Sequence, residues 1–260
     1  MSSLRRIASK DNALLREVAH LADSARERRK RGESFVEGAH LCAAYLDRFG
    51  EPRVALAAAS ALVDPEIAAI AARCGGRLAV VEDALYRGLS QLAGGAGIAF
   101  VVPTPAGLLP DRIDTDCVFL DRLQDPGNVG SILRSAAAAG VRLVVTAPQT
   151  AFAWSPKVLR AGMGAHFALT LCEGVEWATL SARLRCRALG TRLRDAQPLH
   201  RTDLRPPACW IFGNEGEGVT LDDTAIDWVY IPQADAVESL NVAAAAAVCL
   251  FEQRRQREAA

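Results

Sequence analysis

Four short apolar runs constrain this chain more than any other feature: residues 117–120, 142–146, 209–212 and 228–231. Short runs like these, apolar throughout or, at 142–146, apolar in the centre, read as strands, and 117–120 has the pattern of a buried one. Between them lie stretches of helical spacing, expected as helices over 128–139, 156–161, 177–187 and 239–254, with a further strand over 166–169 and an extended segment at 188–192. Strand–helix alternation returns each strand through a crossover, so the expected fold class is α/β, a mostly parallel sheet with helices on both faces.

Residues 1–105 read as a smaller α/β unit. Leu14, Leu15, Val18 and Leu21 carry a helical period over 12–25. Strands are expected at 35–38, 54–57, 78–81 and 98–102, and helices at 40–49, from Asp64-Pro65-Glu66 onward, and at 83–92. Two prolines and a glycine in 103–107 mark a boundary. The expected division is 1–105, a linker at 106–114, and a second domain at 115–260. With 260 residues, half of them hydrophobic, the chain has ample material for two cores. No apolar run approaches the roughly 20 residues of a membrane span. No apolar segment follows Met1-Ser2-Ser3-Leu4-Arg5-Arg6, so no secretory signal is expected and the protein is read as cytoplasmic. The seven cysteines are scattered without a C-x-x-C pair, which points to reduced, packed thiols and to no metal site.

Formal net charge is zero, but its distribution is uneven. Arg26, Arg28, Arg29, Lys30 and Arg31 place five cations in six positions, and Arg183, Arg185, Arg187, Arg192 and Arg194 form a second group. Arginine's planar fork suits phosphate, so the first run is read as an RNA-facing candidate. A solvated helix face is the plain alternative for both.

Three segments carry the chemistry. The first, Asp125-Pro126-Gly127-Asn128-Val129-Gly130-Ser131-Ile132-Leu133-Arg134, follows a strand. Asn128 is placed to cap the new helix, with Arg134 six residues on and not necessarily on the same face. The second, Gly213-Asn214-Glu215-Gly216-Glu217-Gly218, follows another strand. Its glycines permit close backbone approach to a ligand. It lacks the Lys-Ser/Thr of a phosphate loop and the G-x-G-x-x-G spacing, and its two carboxylates suit a neutral or cationic ligand. The third runs from Ile231-Pro232 to Ser239-Leu240-Asn241-Val242. Pro232 shapes a loop, and Ser239 is expected to cap the closing helix. All three lie at strand ends, where open α/β sheets bind ligands. The four histidines are dispersed and pair with no nucleophile.

In order, N-x-G-x-x-x-R, F-G-N-E-G-x-G and I-P-x(6)-S-L-N-V resemble the three motifs of the SpoU family of RNA ribose 2′-O-methyltransferases, within the SPOUT superfamily. The resemblance covers about 115–258. It implies a deep trefoil knot in the C-terminal domain, S-adenosylmethionine as methyl donor, and a homodimer formed through the knotted domain. By motif position it implies that Gly213, Ile231 and Leu240, with Asn214, Gly216, Gly218 and Pro232 around them, contact the cofactor. It assigns Asn128, Arg134, Glu215, Ser239 and Asn241 to catalysis and substrate positioning. Phe35-Val36-Glu37-Gly38 gives the first unit a looser likeness to the family's ribosomal-protein-like (L30e-type) substrate-binding domain. The expected activity is methylation of a ribose 2′-hydroxyl in structured RNA, with ribosomal RNA preferred and transfer RNA as the alternative. A non-catalytic RNA-binding assembly factor and a small-molecule methyltransferase are the rivals. Val242, Val248, Leu250 and Phe251 of the closing helix are read as surface for a partner. One departure stands out: Gly162 precedes Met163 where many relatives carry serine.

Overall fold

The computed structural model describes residues 5–91, 95–221, 223–234 and 238–259. The chain divides into two compact units, Met1–Pro105 with Trp154–Phe167, and Ala106–Ala153 with Ala168–Ala260.

The first unit begins with β1 (Arg5–Ile7), α1 (Ala13–Asp23), α2 (Ala25–Arg31), β2 (Glu33–Glu37) and α3 (Ala39–Phe49). It continues through β3 (Val54–Ala58), α4 (Pro65–Ala72), β4 (Leu78–Val81), α5 (Asp83–Arg87) and β5 (Ile98–Pro103). Its sheet runs β1-β4-β3-β5-β2, with the first three strands parallel and the last two antiparallel to their neighbours. The helical stripe Leu15, Val18 and Leu21 packs against Phe35, Leu56 and Val101, which closes the core. β1 escapes sequence reading because Arg5-Arg6-Ile7 is short and mostly polar. The helix expected over 83–92 stops at Arg87, and Leu92 lies outside the described residues.

In chain order the rest comprises β6 (Cys117–Asp121), α6 (Pro126–Ala139), β7 (Leu143–Thr146), α7 (Pro156–Gly162), β8 (Thr170–Cys172), α8 (Trp177–Ser181), β9 (Arg187–Thr191), β10 (Gln197–Pro198), β11 (Ala208–Gly213), β12 (Ile226–Tyr230) and α9 (Val242–Glu258). Seven strands form one sheet, β10-β12-β9-β11-β6-β7-β8, and every pairing is parallel. Side chains alternate across it. On one face Phe119 meets Trp177 of α8, with ring centroids 5.3 Å apart. On the other, the Trp210 indole N–H donates to Gln253 of α9 at 2.8 Å. Both faces are therefore covered, which is why β6, β7 and β11 are buried along their whole length.

Several local expectations are corrected. α7 packs on β2 and belongs to the first unit. Residues 166–169 are not a strand. Met163 and Gly164 both take left-handed backbone and end α7, a 3₁₀ turn follows at Ala165–Ala168, and the strand comes later at Thr170–Cys172. The helix expected over 177–187 covers only Trp177–Ser181. Beyond it the chain bonds sideways to Ile113, which donates to the Arg183 carbonyl at 2.9 Å and accepts from Arg185 N–H at 2.7 Å. Residues 106–114 are correspondingly not a free tether. Ile113 is buried, and a Cβ on Gly107 would lie 2.1 Å from the Leu171 carbonyl oxygen.

Candidate active site

Parallel strands all end at one edge, and three loops gather there. β12, β9 and β11 are neighbours in the sheet. The segments that follow them enclose a cavity of about 680 Å³. Gly213, Asn214, Glu215, Gly216 and Gly218 line it from the β11 side; Ile231, Ser239, Leu240 and Asn241 line it after β12; Thr191 to Asp195 close it after β9. Pro232 is exposed and is not among the lining residues.

The loop after β6 adds the polar centre. The helix cap there is Asp125, whose carboxylate accepts from Asn128 N–H at 2.8 Å. Pro126 supplies the helix's first residue. Asn128 is thus not the expected cap, and its amide is free for longer-range contacts. At the other end, α9 is capped by Asn241 and not by Ser239: Asn241 Oδ1 accepts from Ala243 N–H at 2.9 Å and Ala244 N–H at 3.3 Å. With its oxygen so used, the Asn241 amide N–H donates to Asn128 Oδ1 at 2.9 Å. Asn128 Nδ2 in turn donates to Glu215 Oε1 at 3.1 Å. Each amide is oriented by the one before it, so the three side chains form one directional chain ending on a carboxylate.

Glu215 also accepts from the N–H groups of Gln124 at 3.4 Å and Asp125 at 3.3 Å. Partial burial pushes its pKa up, but the hydrogen bonds from Asn128 and the backbone outweigh that and hold it below the ordinary carboxylate value. The loop carrying it folds on itself: Asn214 Oδ1 accepts from Gly216 N–H at 2.9 Å and Glu217 N–H at 3.2 Å. A Cβ on Gly213 would fall 2.1 Å from Gly218 C and 2.2 Å from Val219 N, so only glycine fits.

Arg134 is not drawn into this chain. Six residues at about 100° each place it about 120° around α6 from Asn128, where it is exposed and its side chain has no hydrogen bond or ion pair among the described residues. Ser239 is exposed at the cavity. Sequence reading missed Arg122, and it noted Arg192 and Arg194 of the loop after β9 only as part of a basic cluster and not as cavity lining. Arg122 carries no motif, because its importance rests on a left-handed φ of 56° and on contacts to residues about a hundred positions away.

The two basic clusters fare differently. In the first unit Arg28 is buried and donates to the Leu21 and Ala22 carbonyls at the end of α1. It is therefore a helix-end residue and not an RNA-facing one, because a guanidinium spent on carbonyls inside the protein cannot reach phosphate. Burial, together with the neighbouring Arg29, lowers its pKa. Arg31 pairs with Glu17 at 2.9 Å, while Arg26, Arg29 and Lys30 are exposed. In the second unit the cluster disperses. Arg183 donates to the Leu109 carbonyl at 2.7 Å, Arg187 pairs with Asp227 at 3.1 Å, and Arg192 lies 4.6 Å over the Trp228 ring. On α9, Val248 and Phe251 are exposed, but Leu250 faces inward and is 1% exposed. Leu250 is core, not partner surface. No group of three or more metal-ligating side chains occurs among the described residues, and none of their helices is long and apolar enough to cross a membrane.

The chain is similar to several named methyltransferases. The chain is 40% identical over 146 residues to an uncharacterized tRNA/rRNA methyltransferase of Synechocystis, covering 54% of this chain and 53% of that protein. It is 36% identical over 146 residues to the 23S rRNA (guanosine-2′-O-)-methyltransferase RlmB of Bordetella pertussis, covering 54% and 60%. The chain thus spans about half to three-fifths of the length of these curated relatives. The crystal structure of the SpoU methyltransferase AviRb from Streptomyces viridochromogenes, in complex with AdoMet, superposes with a TM-score of 0.83 at 26% identity over 96% of this chain and 100% of that one. The model of the SpoU rRNA Methylase family matches residues 116–251, just over half of the chain and all three loops of the cavity, and the chain belongs to that family.

Proposed function

We propose that the protein transfers a methyl group from S-adenosylmethionine to a ribose 2′-hydroxyl of structured RNA, with ribosomal RNA as its preferred substrate. One observation carries this reading: the Asn241–Asn128–Glu215 chain ends at the cavity built by the glycine-rich loop. The cavity suits the donor. Its volume lies within the few hundred to about 1,000 Å³ usual for small-molecule sites. Ile231 and the partly exposed Leu240 offer apolar surface to an adenine ring. The backbone of Gly213, Asn214, Gly216 and Gly218 is open to close approach, and Pro232 shapes the loop entering the site. Glu215, held by neutral amide donors and without a cationic partner among the described residues, favours a cation over a pyrophosphate. The names of the relatives point the same way, since one is a 23S rRNA guanosine 2′-O-methyltransferase and AviRb was solved with AdoMet.

Bound S-adenosylmethionine supplies a methyl group on a sulfonium, poised for in-line attack. What remains for the protein is positioning. Asn128 and Asn241 present fixed amide groups, and Glu215 anchors them. The Arg134 guanidinium offers a planar fork of N–H donors and no acceptor, so its role is to orient the target phosphate and stabilise the developing oxyanion. Ser239 adds a hydroxyl at the cavity. The 2′-hydroxyl as target selects RNA over DNA. The same reading includes the deep trefoil knot, an L30e-type fold for the N-terminal RNA-binding domain over 1–105, a homodimer through the C-terminal domain, and a cytoplasmic setting.

The test is methyl transfer from labelled S-adenosylmethionine to purified ribosomal and transfer RNA, with mapping of 2′-O-methylated positions and calorimetry of cofactor binding. Methylation of ribosomal RNA at one ribose is expected. Preference for transfer RNA would move the substrate assignment, and absence of cofactor binding would leave an RNA-binding assembly factor in its place.

A further inference from the structure

Arg122 lies outside all three motif segments, yet it touches the glycine-rich loop from two sides. It directly follows β6 and takes a left-handed backbone, φ 56°, which a long side chain adopts only at a cost. Its carbonyl accepts from Asn214 Nδ2 at 3.0 Å. Its guanidinium reaches Asp121 Oδ1 at 3.3 Å and Glu217 Oε2 at 3.2 Å, and also bonds the Thr220 hydroxyl. Asp121 is buried and accepts from Thr220 N–H at 3.3 Å through its other oxygen. The loop 213–220 is therefore held at its start by the Arg122 backbone and at its end by the Arg122 side chain. Between those two points sits Glu215, the end of the polar chain.

We infer that Arg122 is a positioning residue for this site: it clamps the glycine-rich loop in the conformation that forms the cavity wall, and it offsets the charge of Glu217. Three carboxylates, Asp121, Glu215 and Glu217, stand on or beside one short turn. Glu215 is satisfied by amide donors, while Asp121 and Glu217 share the Arg122 fork. Without the fork their repulsion would open the loop. The left-handed backbone aims the carbonyl and the guanidinium at the same loop, which explains why the strained conformation persists. The cofactor consequence rests on the proposed methyltransferase reading; the clamp itself does not.

The test uses Arg122→Gly, Arg122→Asn and Arg122→Lys in the full chain. Glycine and asparagine tolerate positive φ, so both relieve backbone strain while removing the fork. The relieved strain offsets part of the loss of the Asp121 ion pair, so their melting temperature should fall by only a few degrees, while amide hydrogen exchange across 213–220 accelerates by about tenfold and S-adenosylmethionine affinity falls by a similar factor. Lysine keeps the charge but not the fork and should restore only part of both. Unchanged exchange in Arg122→Gly would overturn the clamp. A fall in melting temperature that accounts for the whole exchange change would reduce Arg122 to a general stabilising residue and would overturn it too. Faster exchange in a protein whose wild type binds no S-adenosylmethionine would uphold the clamp and remove the methyltransferase reading instead.

Discussion

The carboxyl edge of the seven-stranded sheet and the basic helix α2 use polar side chains in opposite ways. At the edge, bonds join residues far apart in sequence: 113 positions separate Asn241 from Asn128, and 87 separate Asn128 from Glu215. In α2, Arg28 bonds carbonyls six and seven residues away and only ends a helix. The edge is nearly silent in composition and rich in arrangement. α2 is conspicuous in composition, yet its central arginine is a local structural device. Charge density in a sequence is thus a weaker guide to a site than polar residues placed at the ends of parallel strands.

The largest effect that would test this contrast comes from Glu215→Ala. It leaves the Asn128 amide without its acceptor, and methyl transfer to RNA should fall about a hundredfold in kcat/KM through lost positioning; a near-normal rate would remove the polar chain from the mechanism. Gly213→Ala forces a methyl group into the Gly218–Val219 backbone. It should cost about 2 kcal/mol in denaturant unfolding and abolish measurable cofactor binding. Arg134→Lys keeps the charge but loses the fork, and kcat should drop on the order of tenfold. Turnover near that of the wild type with an unchanged pH profile would exclude an oriented guanidinium.

In α2 the two roles should separate. Arg28→Ala should lose about 1 kcal/mol of stability because two helix-end carbonyls lose their donor, with RNA affinity little altered. Arg26→Ala with Lys30→Ala should leave the melting temperature in place while making RNA binding less salt-dependent, by about one unit of slope for each phosphate no longer neutralised. If the double variant binds RNA as the wild type does, α2 is only a solvated helix. The smallest effect is pH-linked. The pKa of Glu215 is lower in the folded state than in the unfolded chain. Its stabilisation is therefore complete above the ordinary carboxylate value and is lost as pH falls through the lowered one. Thermal melts of wild type and Glu215→Gln should differ near neutrality and converge in acid; a constant offset would show that the carboxylate charge is not what the loop uses.

Most strands were legible because burial on both faces writes itself as continuous apolar runs: 78–81 matches β4 residue for residue, and 117–120 and 209–212 fall within β6 and β11. Helix starts were legible where a cap stands before an apolar period, as at Asn12 and Asp64. The errors fall where two candidates for one role lie close together. Asp125 and Asn128, or Ser239 and Asn241, are each able to cap a helix, and local preference does not choose between them. Tertiary contact does: the residue that caps is Asp125 at one helix and Asn241 at the other. That choice frees the Asn128 amide and turns the Asn241 amide toward it. The short helix α8 and the packed segment 106–114 were misread for a related reason, since the bonds between Ile113 and residues 183–185 join segments about 70 positions apart.

By itself, the sequence determined the α/β class, the parallel strands and the three segments that meet at the sheet edge, because hydrophobic period, turn residues and motif order are local or ordered properties of the chain. Only the tertiary structure decided which side chains touch: that Asn128, Glu215 and Asn241 form one hydrogen-bonded chain while Arg134 stands apart, that Arg28 and Leu250 turn inward, and that Arg122 grips the glycine-rich loop. The physical reason is that a hydrogen bond depends on distance and angle to within a few tenths of an ångström. Such geometry is set by how strands far apart in sequence pack side by side.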